Sequence, residues 1–196
     1  MKTFNNFISE AKEKSATFTF GRFNPPTTGH EKLVKKLLSV GRGTDVLLFS
    51  SHSNDKRKNP LNHRDKVKYL KKFFGKIVVD ANVRTVFEIC NFLQEKKYVN
   101  INMVVGSDRV KEFEMLITKY NGVKARHGYY KFKEINIISA GERDPDADDV
   151  SGMSASKMRE AAKKLDTELF DSGIPDTLDT DEKMQLMAKV RSGMGL

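Results

Sequence analysis

The residues best placed by type and spacing to do chemistry stand together near the front of the chain, in Gly21-Arg22-Phe23-Asn24-Pro25-Pro26-Thr27-Thr28-Gly29-His30. They follow TFTFGRF at 17–23, an alternating β-rich run, and precede an apolar stripe at helical spacing. A strand, a glycine, a proline-stiffened turn and a helix start direct backbone N–H groups and the positive end of a helix dipole at one spot. Thr27 and Thr28 can cap that helix and also donate to a phosphate. Gly29 allows close approach, and His30 adds a ring N–H donor. The chemistry of such a turn is the binding of an anion, above all a phosphate. A plain capped turn carrying a surface histidine is the structural alternative. The common phosphate devices are absent: there is no G-x-x-x-x-G-K-[ST], and Gly41-Arg42-Gly43 closes a helix instead of opening one. A P-loop kinase and a dinucleotide-dependent dehydrogenase are therefore poor fits.

The elements that must position this turn follow from periodicity. Strands are expected at 17–23, 45–51, 76–80, 101–106 and 133–140, and helices at 28–40, 62–74, 84–97 and 109–120. Strands alternating with helices predict an α/β fold: a Rossmann-like open parallel sheet with helices on both faces. In such sheets ligands bind outside the carboxyl ends of the strands, which is where the turn after the first strand lies. Past the fifth strand the chain becomes acidic and turn-rich, then helical at 154–165 and 181–194. The division expected is a tail at 1–14, an α/β core at 15–141 and a C-terminal helical appendage at 142–196, the last too small for a core of its own.

Composition bounds the function. The chain has 196 residues, 38% hydrophobic and 31% charged, as in ordinary soluble domains. Cys90 is the one cysteine, which excludes an internal disulfide and a multi-thiolate metal site. VLLF at 46–49 and INIIS at 135–139 are strand-sized, and no run has the length of a membrane span. The opening MKTFNNFISEAKEK lacks the apolar region of a secretory signal, so a cytoplasmic location and no membrane partner are expected. The net charge of +9 is uneven: residues 1–140 carry 27 Lys and Arg against 13 Asp and Glu, and residues 141–182 carry 5 against 13. A basic front suits an anionic ligand, although a solvated lysine-rich face accounts for most of these lysines.

Gly21-Arg22-Phe23-Asn24-Pro25-Pro26-Thr27-Thr28-Gly29-His30 resembles the first motif of the nucleotidyltransferase superfamily with the (H/T)xGH signature. That superfamily includes nicotinamide-mononucleotide and phosphopantetheine adenylyltransferases and the cytidylyltransferases. Thr27 stands where the first histidine is more common, and Arg22 resembles the archaeal-type nicotinamide-mononucleotide enzymes. Met153-Ser154-Ala155-Ser156-Lys157-Met158-Arg159 resembles the ISSTxxR motif, with Ala155 and Ser156 as mild departures. Gly106-Ser107-Asp108 resembles the segment that touches adenosine, and Lys58-Asn59-Pro60-Leu61 with Arg64 resembles the region before the second helix. The four segments span about residues 17–165.

The resemblance implies transfer of a nucleoside monophosphate from an NTP to a phosphorylated acceptor, with pyrophosphate leaving and no covalent enzyme intermediate. It implies ATP as donor and nicotinamide mononucleotide as acceptor, with Mg²⁺ riding mainly on the phosphates and water and no protein metal cage. His30 would donate to the α-phosphate, Thr27 would take the first histidine's place, and Arg159 would hold the β- and γ-phosphates. Gly21, Arg22, Phe23, Asn24, Gly29, Gly106, Asp108, Ser154 and Ser156 would contact the nucleotide, and Lys58 and Arg64 the acceptor. A cytidylyltransferase, or another acceptor, is the alternative within the class. The terminal stretch from Phe170 and the opening MKTFNNFISEA resemble nucleotidyltransferases of large tailed phages, so a virion or internal protein on this fold is the alternative outside it. Ile8-Ser9-Glu10 resembles a prohead-protease site, which would place a packaged chain's start at Ala11.

Other clusters are weaker. Asp144, Asp146 and Asp148 imitate an EF-hand start, but Asp149 and Ala155 stand where that loop needs glycine and glutamate. His52, His63 and His127 read as surface or unassigned histidines, and Cys90 as core. Tyr129, Tyr130 and Phe132 among lysines are expected to pack the sheet edge. They offer little ground for nucleic-acid binding, which would need a tight, salt-dependent complex. Oligomeric state is left open, a homo-oligomer included.

Overall fold

The computed structural model describes residues 13–141 and 153–196. The prohead-like site at 8–10 and the aspartate-rich stretch at 144–149 lie outside them.

Four parallel strands form one sheet: β1 (Ser15–Gly21), β2 (Asp45–Ser50), β3 (Asn100–Val105) and β4 (Glu134–Ser139), in the order β2-β1-β3-β4. Parallel strands need crossovers, supplied by α1 (Glu31–Val40), α2 (His63–Phe74), α3 (Val86–Glu95) and α4 (Val110–Lys119). The strands alternate between two buried faces. Ala16 and Phe18 of β1, Phe49 of β2 and Ile101, Met103 and Val105 of β3 meet Ile89, Cys90 and Leu93 of α3 and Phe113 and Ile117 of α4. On the other face Leu48 and Val104 meet Val34 and Leu37 of α1 and Val67 and Leu70 of α2. The fold is the expected Rossmann-like one. Tyr130 and Phe132 are core residues, whereas Tyr129 is exposed instead of packed, and the Tyr130 hydroxyl donates to the Ile117 carbonyl at 2.9 Å.

One expected strand is not formed. At 76–80 only Val78 bridges β2, opposite Leu48, and the sheet has four strands instead of five. Gly75, with φ 65°, opens a 3-10 turn over Gly75–Ile77 that uses up the first half of the segment. The apolar pattern of KIVVD is spent on packing instead: Ile77 and Val78 lie against the β2 edge of the core. The first strand also ends two residues earlier than expected, leaving Arg22 and Phe23 to the turn.

The C-terminal helices α5 (Ala155–Lys164), α6 (Thr167–Ser172) and α7 (Thr180–Met194) share one apolar cluster with α2. Met158, Ala161, Phe170, Ile174, Leu186, Met187 and Val190 close around Leu61 and Tyr69. Helix α2 is thus wedged between the sheet and the C-terminal helices. The tip of α7 touches the loop before α2 closely: a Cβ built on Gly193 would lie 2.1 Å from the Pro60 carbonyl oxygen, so only glycine fits there. Lys189 pairs with Asp65 at 2.8 Å, and Lys72 pairs with Glu182. Among the described residues no helix is long and apolar enough to cross a membrane.

Candidate active site

The chain runs from β1 to α1 and β2 on one side of β1, and returns to β3 on the other, which opens a crevice above the carboxyl ends of β1 and β3. Gly21 ends β1 at that crevice, and Gly106 caps the 3-10 turn Ser107–Arg109 that follows β3.

The turn after β1 is tightly held. Phe23 takes φ 46° and is 2% exposed. Its ring folds back over Gly21, where a Cβ would lie 2.8 Å from the ring. That contact is the reason for glycine at the strand's end. The Phe23 ring also lies 4.9 Å from that of His30. Asn24, 1% exposed and joined to Pro25 by a cis peptide, clamps the loop before α2. Its Nδ2 donates to the Leu61 carbonyl and its Oδ1 accepts from the Leu61 N–H, each at 2.9 Å. The Asn24 side chain is therefore committed to protein, and its carbonyl faces the site.

Thr27, in extended backbone, caps the 3-10 turn Thr28–His30 that leads into α1. Its N–H donates to His30 Nδ1 at 3.0 Å, so His30 plays the part that Glu or Gln plays in a capping box. A backbone amide can only donate. Nδ1 is therefore an acceptor, and the proton of the neutral ring sits on Nε2. The Thr27 hydroxyl lies 2.9 Å from His30 Nδ1 and donates to the Met153 carbonyl at 2.8 Å.

Met153 begins the second segment. Ser154 caps α5, its hydroxyl accepting from the Lys157 N–H at 3.2 Å. One turn on, the Arg159 guanidinium donates to the Asn24 carbonyl at 2.8 Å and to the Ser156 hydroxyl at 2.9 Å. Burial lowers the Arg159 pKa, and the nearby positive charge of Arg22 lowers it further. Two guanidiniums that oppose each other beside two helix starts form a site that an anion relieves. A third tie binds the regions, from the Thr28 N–H to the Gly173 carbonyl at 3.0 Å.

The structure thus brings together Gly21, Arg22, Phe23, Asn24, Thr27, His30, Ser154, Ser156 and Arg159. Gly29 lies within the 3-10 turn. Asp108 is exposed above β3, across the crevice. Lys58 and Arg64 are exposed on the far side of β1, on the loop after β2 and the first turn of α2. That loop is shaped by Asp55, whose carboxylate accepts from the N–H groups of Lys58 (2.7 Å) and Arg57 (2.9 Å). These bonds, with one from the Asn59 side chain, hold the Asp55 carboxyl at about 2. Cys90 is fully buried, and burial pushes its thiol up to about 12, so it is inert core. Among the described residues no group of three or more His, Cys, Asp or Glu could hold a metal ion.

Two features of the region escape a linear reading. The Asn24–Leu61 clamp joins residues with no spacing signal. Lys66 is fully buried, although α2 looks amphipathic with its lysines in water. A signal did exist: Lys66 stands three and four residues before the buried Tyr69 and Leu70, on their stripe.

Fold and geometry together define a nucleotidyltransferase of the Rossmann-like kind. The family model described as cytidylyltransferase-like matches residues 18–161, and the chain belongs to that family. Its substrates are accordingly a nucleotide and a phosphorylated acceptor. No protein with a curated description matches the chain significantly. Among solved structures the chain is similar to a protein from Vibrio parahaemolyticus described as a candidate nicotinate-nucleotide adenylyltransferase. The identity is 15% and the TM-score 0.53, over 87% of this chain and 99% of that one, a likeness of fold.

Proposed function

We propose that the protein transfers the adenylyl group of ATP to nicotinamide mononucleotide. An oxygen of the acceptor's phosphate attacks the α-phosphorus, the bond from that phosphorus to the bridging oxygen breaks, and pyrophosphate leaves. One observation carries the reading. The phosphate-type turn after β1 and the start of α5 are tied to each other by Thr27–Met153 and Arg159–Asn24, so both face one crevice.

With no covalent intermediate, the protein's work is alignment and the neutralising of charge as it spreads in the transition state. His30 Nε2–H donates toward the α-phosphate, with the ring fixed from behind by the Thr27 N–H. Arg159 and Arg22 face the leaving pyrophosphate, and the caps of α5 add Ser154 and Ser156. The Gly106–Asp108 turn holds the nucleoside on the β3 side. Mg²⁺ enters as part of the nucleotide substrate. The test is pyrophosphate release with ATP or CTP, Mg²⁺ and a panel of phosphorylated acceptors. Turnover of ATP with the mononucleotide is expected. Turnover of CTP with a phospho-alcohol, and none with the mononucleotide, would overturn the reading.

A further inference from the structure

Lys66 is a charged side chain sealed in the protein, and among the described residues no carboxylate pairs with it. It is 0% exposed, and its ammonium donates to two backbone carbonyls, those of Ser51 and of Ser53 at 3.3 Å. These two residues bracket His52 in the first turn after β2. The His52 ring stacks on His63 of α2, with centroids 3.6 Å apart. The end of β2 is therefore held by one helical turn of α2: an ammonium gathers two carbonyls and a ring clamps the residue between them.

We propose that Lys66 is a positioning residue for the phosphorylated acceptor, fixing residues 51–53 as the wall of the crevice on the β2 side of His30. This rests on the nucleotidyl-transfer reading above. The nucleoside side of the crevice lies over β3. The acceptor oxygen must meet the α-phosphorus opposite the departing pyrophosphate, which leaves it the β2 side. The Ser51 N–H bonds the Gly21 carbonyl at 2.8 Å, which seats this wall beside the strand end that carries the phosphate turn. A neutral donor would satisfy two carbonyls at a smaller desolvation cost than an ammonium. What the ammonium adds is charge-assisted bonds, about twice as strong as neutral ones. Burial holds the Lys66 pKa down to about 8. The titratable groups beside it are His52 and His63, with Asp80 facing His63 from beyond α2.

The experiment compares wild type and Lys66→Met, which keeps the stem and removes the donors, in steady-state turnover and melting. Lys66→Met is expected to raise the acceptor KM about 10- to 100-fold, the worth of bonds to a charged group. The KM for ATP and kcat should stay within about threefold, a split that general loosening would not give. In wild type, the acceptor KM should also climb as pH rises through about 8 while the ATP KM stays flat, because only the charge assistance is lost. A folded Lys66→Met protein with an unchanged acceptor KM overturns the inference. If that variant does not fold, a flat acceptor KM from about pH 7 to about pH 9 overturns it instead. Wild type inactive on every acceptor of the panel removes the nucleotidyl-transfer reading itself, and the inference with it.

Discussion

The N–H of Thr27 donates to His30 Nδ1 at 3.0 Å, so the histidine offered to substrate is also part of the cap of its own helix. One bond sets the tautomer, aims the ring and satisfies an otherwise orphaned amide. Structure and proposed chemistry therefore cannot be separated by an alanine at this position alone.

His30→Ala should lower kcat about 10²–10³-fold, the worth of one donor aimed at developing charge. It should also cost about 1 kcal/mol of stability, because the Thr27 amide loses its acceptor. His30→Gln keeps a capping-box acceptor and should restore the melting temperature while leaving turnover well below wild type. Equal turnover in all three proteins would remove His30 from the reaction.

Arg159→Lys keeps the charge and loses the fork that spans the Asn24 carbonyl and the Ser156 hydroxyl. The KM for ATP should rise and kcat fall together, with little change in melting temperature. A stability loss with unchanged kinetics would make Arg159 a mere strut between the two segments.

Asn24→Ala should destabilise the protein by about 2–3 kcal/mol, since it strands both the N–H and the carbonyl of Leu61 in a buried place. Thermal or urea unfolding measures it. A change of a few tenths of a kcal/mol would mean that the loop before α2 is held elsewhere.

His63 carries a pKa below the ordinary 6.5, because it is buried and then because His52 and Lys66 stand near. The folded state binds its proton less readily than the unfolded one. Its contribution to stability is therefore present above 6.5 and lost as pH falls from there toward the folded value. The melting temperature should drop along that acid limb, and His63→Asn should flatten it. An unaltered slope in the variant would place the titrating group elsewhere.

Much of this was legible in the chain. The alternation of strand-like and helical runs predicts the sheet, the turn at Thr27 stands out because capping residues, glycines and basic groups converge there, and the helix start at Ser154 is marked by its resemblance to the ISSTxxR motif. What escaped detection depends on distance. Val78 lies in a run that reads as a strand, yet strand pairing needs neighbours along its length, and Gly75 bends the chain so that only one residue meets β2. Lys66 is read as a solvent lysine because burying a charge is expensive, and nothing local reveals that Ser51 and Ser53 offer two carbonyls. Asn24 looks like a turn residue until Leu61 is seen beside it.

The bond from Thr27 to the Met153 carbonyl closes a loop of 126 residues. Loop closure of that length is entropically late, and contacts so far apart in sequence form after local helices and neighbouring strands. During synthesis the sheet residues 15–139 emerge before α5 exists. Nucleotide affinity should therefore arrive abruptly, at the end of folding, and not grow in step with secondary structure. In a refolding trace, ATP would report the last event: far-UV signal recovers first, and binding appears only when α5 docks.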